Sequence, residues 1–199
     1  FITYYNYPYY IQHLERLGYA KDVDWVEFLV DVPKDPRLID RLGKLSERVL
    51  AHNRLHVAEI KRRRDFQPYV EKVFRLWNTA YAPLYGTTTL DDTQVKRYVK
   101  KFLPMIDPRL ACFVMDEQDE LAAFGVSAPS IASALKKSNG RLFPFGFVGV
   151  LRALKHNDTL DLFLIAVRPE YQNCAVNAVA VNHVMRGCME MGIQRAETD

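Results

Sequence analysis

The sequence predicts an α/β (α+β) protein: a mixed, mostly antiparallel sheet flanked by helices, with a helical insert ahead of one of its later strands. Three observations carry this. Residues 160–191 read as buried strand, turn and helix: Leu160 to Val167 is too short for an independent helix and rich in branched residues, Arg168-Pro169 stops it, and Val181, Val184, Met185 and Cys188 then recur at helical spacing. Leu110 to Met115 and Leu121 to Ser127 are apolar runs separated by the polar stretch Asp116 to Glu120, the pattern of a hairpin. Between Pro68 and Ile106 lie two helical stripes, Val70, Val73, Phe74, Trp77, Tyr81 and then Val95, Tyr98, Val99, Phe102, Leu103, Ile106.

The elements follow in order. Phe1 to Tyr5 reads as a strand end. Pro8 suits a first helical turn, Tyr10, Leu14 and Leu17 follow at helical spacing, and Gly18 closes the helix. From Trp25 to Val32, Val26, Phe28, Val30 and Val32 alternate with Glu27 and Asp31, which predicts a half-buried strand. The segment 32–36, with Pro33 and Pro36, is a break and a domain boundary: residues 1–36 are expected to close a preceding domain, and residues 37–199 to form the next. Leu38, Leu42, Leu45 and Val49 stripe a helix that ends at His52-Asn53, and Leu55 to Ile60 is a short strand. Lys61 to Arg64, without interleaved aromatics, reads as a solvated loop and not as a nucleic-acid patch.

Asp91-Asp92 supplies the cap and first turn of the second striped helix. Tyr85-Gly86, in the connection before it, is placed to reach a binding cleft. Two further helical patterns, Ile131 to Lys137 and Phe147 to Leu154, form the insert. Phe147, Val150, Leu151 and Leu154 have core spacing, and Phe143, Phe145 and Phe147 are candidates to wall an acceptor pocket. Ile193 to Thr198 is a last strand. It is expected to pair with the N-terminal strand, within one chain or across a homodimer.

Composition bounds the possibilities. A chain of 199 residues that is 49% hydrophobic and 12% aromatic can bury a real core. No apolar run reaches the roughly 18 residues of a membrane span, and the first residues lack a basic region followed by an apolar one, so no membrane contact and a cytoplasmic location are expected. Cys112, Cys174 and Cys188 have no C-x-x-C spacing and read as free thiols. His52 and His56 have metal-like spacing but no nearby carboxylate, and no metal site is expected. Ser127, Ser130 and Cys174 lack a nucleophile's setting, and the turn after Val167 is not the Gly-x-Gly-x-x-Gly of a dinucleotide site.

That turn has another affinity. Val-Arg-Pro-Glu-Tyr-Gln, followed after three residues by Val176-Asn177-Ala178, at a strand's C-terminal end and opening a helix, resembles the acyl-CoA-binding motif of the GCN5-related N-acetyltransferase (GNAT) superfamily. A helix N-terminus offers unpaired N–H groups and partial positive charge to an anion. The two small positions of the motif fall on Ala175 and Asn177, neither of them glycine. The order of elements from residue 55 onward is similar to that of the same family, and residues 1–36 resemble its closing strand, helix and strand.

The resemblance implies acetyl-CoA, or another acyl-CoA, as cofactor. Backbone groups of Ile165, Ala166 and Val167 would pair with the pantetheine arm, and Gln172, Asn173, Cys174, Ala175, Val176, Asn177 and Ala178 would hold the pyrophosphate. It implies direct N-acyl transfer to an amine of a small molecule or protein. Asp161 and Glu197, on or near strand ends, are the candidate catalytic bases. The alternative reading, prompted by Ala175 and Asn177, is a catalytically degenerate domain that binds or scaffolds.

Overall fold

The computed structural model describes residues 6–198, and Phe1 to Tyr5 lies outside the described residues. The order is α1 (Tyr9–Arg16), β1 (Phe28–Asp31), α2 (Pro36–Asn53), β2 (His56–Val57), α3 (Val70–Ala80), α4 (Asp92–Phe102), β3 (Ala111–Met115), β4 (Leu121–Pro129), α5 (Ala132–Lys137), α6 (Gly146–Ala153), β5 (Thr159–Val167), α7 (Val176–Met191) and β6 (Arg195–Thr198). One sheet runs β1-β6-β5-β4-β3-β2, antiparallel except for the parallel pair β5–β6.

Local chemistry sets the ends of these elements. The Asp35 carboxylate accepts from the Arg37 N–H and Pro36 opens α2, which ends at Arg54 in the left-handed conformation. Asp91 and Gln94 exchange hydrogen bonds with each other's backbone in a capping box that starts α4. In the β3–β4 turn, the buried Asp116 carboxylate accepts from the N–H groups of Gln118 and Glu120. Lys61 to Arg64 leads into a short 3₁₀ helix, residues 63–69, and its Lys61 pairs with Glu59 at 2.7 Å, a surface role.

Both faces of the central sheet are covered. Phe113, Phe124 and Ala166 pack with Phe66, Val73 and Leu76 under α3, while Cys112, Val114 and Ala123 pack with Val49, Val176, Val179 and Ala180 under α2 and α7. This explains why β3 and β4 read as unbroken apolar runs instead of alternating ones. The buried face of α7 is Val176, Val179, Ala180, Val184 and Cys188, with Val181, expected among them, turned outward. Gly187 is placed where α7 crosses the turn Pro108–Leu110: a Cβ there would lie 2.1 Å from the Arg109 carbonyl oxygen.

Two expectations change. β1 is exposed along its whole length, not half-buried, because it is the outer strand beside β6 and lies beyond the helices that cover the central sheet. The last strand does pair with it inside the one chain, Phe28 opposite Thr198 and Asp31 opposite Arg195. The insert, expected to pack, also stands clear: Phe147 and Leu151 are exposed.

Gly187→Ala should lower stability by about 2 kcal/mol or more, because the clash is with backbone and cannot be relieved by a side-chain rotation. The urea unfolding midpoint measures it.

Candidate functional site

The site is organised by an irregularity in β5. Its pairing with β4 steps from Val126–Leu164 to Ser127–Leu162, so Phe163 has no partner opposite it. A bulge of this kind reverses which face the following residues occupy. Before it, Leu160 and Leu162 pack toward α7; after it, Leu164 and Ala166 pack toward α3. Phe163 and Leu164 consequently point together into the α3–α4 side.

Asp161, alternating with Leu160 and Leu162, shares that side. It is 7% exposed, and its Oδ1 has no hydrogen-bond partner among the described residues. Burial pushes its carboxyl up from the ordinary value, the Ser130 hydroxyl partly offsets this, and the Glu197 charge adds to the rise. Asp161 stands opposite Glu197 in the parallel β5–β6 ladder, and Ala196 faces α7, so the two carboxylates are neighbours on one face. The two candidate bases thus come together from strands 36 residues apart in register.

The turn after β5 is held by an ion-pair cluster. Arg168 donates to the buried Asp116 at 2.7 Å, lies 2.7 Å from Glu170 and sits over the Tyr171 ring. Asp116 is held below the usual carboxylate range: hydrogen bonds from Glu120, Arg168 and Gln118 outweigh the larger single effect of desolvation, which pushes the other way. The chain then passes Gln172, Asn173 with φ 67°, Cys174 and Ala175 with φ 57° before α7 begins at Val176. Ala175 therefore occupies the left-handed conformation for which glycine is the default residue. Val176 is buried in the core beneath α2, and Asn177 and Ala178 lie in the first turn of α7, whose Ala178 N–H already bonds to the Ala175 carbonyl.

For the pantetheine arm, two of the three expected backbone acceptors are already engaged. The Ile165 carbonyl accepts from the Tyr81 hydroxyl at 2.9 Å, and the Val167 carbonyl accepts from Gln172. Ala166 is buried against α3. An arm on β5 has to replace these side chains.

Two cavities flank the bulge. A cleft of about 430 Å³ runs between β5, β6 and α7, with Tyr81, Ile165, Val181 and Thr198 on its walls. An apolar chamber of about 250 Å³ lies on the other side, under α3 and α4, walled by Phe74, Trp77, Tyr98, Phe102 and Phe163. Val126, Phe163 and Leu164 border both. The chamber accounts for α4: its stripe Val95, Tyr98, Val99 and Phe102 has no fully buried member because it faces a space and not a packed neighbour. Phe143, Phe145 and Phe147, expected to wall the acceptor pocket, border neither cavity, and Phe143 and Phe145 are 81% and 78% exposed. Tyr85 also misses both, its hydroxyl bonding Asp22 instead. Tyr81 and the chamber aromatics escaped notice as site residues because helical spacing is the same for a core and for a cavity wall. Cys112 and Cys188 are free buried thiols, pushed up by burial to about 12 and about 11, and are inert at neutral pH.

Known proteins bear on this arrangement. No family model matches the chain. The crystal structure of the C-terminal domain (DUF2156) of a putative lysylphosphatidylglycerol synthetase from Agrobacterium fabrum superposes with a TM-score of 0.51, at 12% identity, covering 96% of this chain and 51% of that one. The element order, the parallel β5–β6 pair and the turn into α7 agree with the family that the motif resembles. The chain shares its fold with that domain. In sequence, the chain is 27% identical over 177 residues to Protein YghO of Escherichia coli, and 27% identical over 146 residues to a bacterial ceramide synthase of Caulobacter vibrioides. These matches cover 86% and 71% of the chain but 43% and 36% of the relatives, so the chain spans less than half the length of either.

Asp161 has a folded-state value above its unfolded one, so it contributes stability below the unfolded value, and that contribution is lost as pH rises through the folded value. Asp161→Asn, neutral throughout, should therefore melt at a higher temperature than the parent at pH 7, with the difference shrinking toward pH 4; scanning calorimetry across that range reads it.

Proposed function

We propose that this domain transfers an acyl group from a coenzyme A thioester to an amine, with Asp161 as general base. The observation that carries the reading is the buried, raised Asp161 beside Glu197, two residues before the bulge that separates a donor-side cleft from an apolar chamber. The substrate ammonium gives a proton to the Asp161 carboxylate. The freed nitrogen attacks the thioester carbonyl carbon and the C–N bond forms; as the C–S bond breaks, the attacking nitrogen gives its second proton to solvent, the protonated carboxyl passes its own to the departing thiolate, and the neutral amide and thiol leave. Burial, aided to a lesser degree by the charge of Glu197, makes Asp161 more basic than a solvated carboxylate, at some cost to folding.

The pyrophosphate would rest on backbone N–H groups of the turn from Gln172 to Asn177. Arg168 is committed to Asp116 and Glu170, so the turn offers amides and helix polarity and not a free guanidinium. The chamber narrows the substrate. A half-open apolar pocket lined by seven aromatics, among them Phe163 two residues along β5 from Asp161, suits an alkyl chain on acceptor or donor better than a small polar amine, and the Caulobacter relative, named as a ceramide synthase, points in the same chemical direction.

A second reading has its own support. Ala175 in a glycine's conformation, the engaged Ile165 and Val167 carbonyls and the occupied Arg168 fit a domain that retains the fold as a binding or scaffolding module.

Two measurements separate the readings. With the first, Asp161→Asn should reduce kcat by about 10²-fold or more at nearly constant KM for the thioester, and the acid limb of kcat/KM should lie above the ordinary carboxylate value of roughly 4. Thiol release from a series of acyl-CoAs and alkylamines is the assay. Millimolar acetyl-CoA or a longer acyl-CoA should also raise the melting temperature, and Ala175→Gly should enlarge that shift. No shift with any acyl-CoA, in either protein, leaves only the scaffolding reading.

A further inference from the structure

The insert between β4 and β5 has a composition unlike the rest of the chain. Residues 130–158 contain Lys136, Lys137, Arg141, Arg152 and Lys155 and a single acid, Asp158, which lies at the β5 end and pairs with Arg195. The chain has 27 Lys and Arg against 24 Asp and Glu, so without this segment it is net acidic, and its positive charge resides here. All five cations are exposed, and none forms an ion pair among the described residues.

The same segment exposes its apolar side chains. α5 and α6 pack on each other, and the loop joining them carries Leu142, Phe143 and Phe145 at 45%, 81% and 78% exposure. Phe147, Val148 and Leu151, related by helical spacing, continue this surface along α6. Lys136, Lys137 and Arg141 stand at the loop end of the hairpin, and Arg152 and Lys155 at the far end of α6. Two phenyl rings with four-fifths of their surface in water are costly in a protein that has an aromatic-walled chamber elsewhere, which is the mark of a surface meant for contact.

We propose that the α5–α6 hairpin is a membrane-interface anchor, seating Phe143, Phe145 and the outer face of α6 among the acyl chains of an anionic phospholipid surface while the cations engage its headgroups. Aromatic and aliphatic side chains interleaved with Lys and Arg, and no acid within the hairpin, match such a surface in both charge and polarity. A nucleic acid would use the cations but leaves the protruding aliphatics Leu142, Val148 and Leu151 without partners. The sequence expectation of no membrane contact rested on the lack of a spanning segment, and an interfacial anchor needs none. The proposal is independent of the acyl-transfer reading.

The test is co-sedimentation of the purified chain with vesicles of phosphatidylcholine alone or mixed in roughly equal parts with phosphatidylglycerol. Binding is expected to the mixed vesicles only, and to weaken as ionic strength rises from about 0.1 to about 1 M. Phe143→Ser with Phe145→Ser, and separately Lys136→Glu with Lys137→Glu, should each weaken it at least tenfold without moving the melting temperature, since all four positions are exposed. The inference is overturned by no binding to the mixed vesicles, by capture of single-stranded RNA in their place, or by a dimer that the Phe variants convert to monomer. It also fails if both variants bind vesicles as the parent does, because the contact would then come from the exposed apolar residues of α1 and β1.

Discussion

Strand β5 is the constraint on which the rest of this structure depends. It alone joins the antiparallel part of the sheet to β6, running antiparallel to β4 on one side and parallel to β6 on the other. A parallel neighbour needs a crossover, and α7 is that crossover. Placing the crossover against β3 and β4 buries Val176, Val179 and Ala180 and puts the N-terminus of α7 at the end of β5. The bulge at Phe163 then assigns opposite faces to the two halves of the strand, which is how one strand walls both a cleft and a chamber. Without the extra residue, Leu164 and Ala166 would turn toward α7 and the α3 side would lose part of its core.

Polar groups are placed sparingly around this frame. Asp116 is buried and fully engaged; Asp161 is buried with one oxygen unmatched among the described residues. The contrast separates a carboxylate that holds structure from one that costs stability. Glu197, opposite Asp161, sharpens the contrast, since a strand pair placed for stability alone would set a cation there.

Much of this was legible in the sequence. The hairpin, the helices α2, α3, α4 and α7 and the two helices of the insert followed from periodicity, caps and element order, and the pairing of the last strand with the N-terminal one from the resemblance of residues 1–36 to a closing strand, helix and strand. What could not be read was long-range. A bulge leaves no mark in a run of apolar residues such as Leu160 to Val167, because every register of it is equally hydrophobic. Trp77, Tyr98 and Phe102 have the spacing of core residues, and whether a stripe meets a neighbour or a space depends on elements far away in sequence. Phe147 and Leu151 were misread as packing for the same reason. The β1 strand alternates as half-buried strands do, yet it lies at the sheet's edge, where alternation finds nothing to pack against.

The Asp116–Arg168 pair has a consequence for how the molecule tolerates change. Hairpin turns on a protein surface normally accept insertions and length variation. Here the β3–β4 turn is a strut: its first residue bonds two amides of its own loop and, through Arg168, steadies the segment from which α7 departs. Lengthening the loop by even one residue between Asp116 and Glu120 would swing that carboxylate away and release the guanidinium beside Glu170. A distant surface edit would then be felt at the mouth of the candidate site, making this hairpin a poor place for a tag or graft and a sensitive place for a reporter.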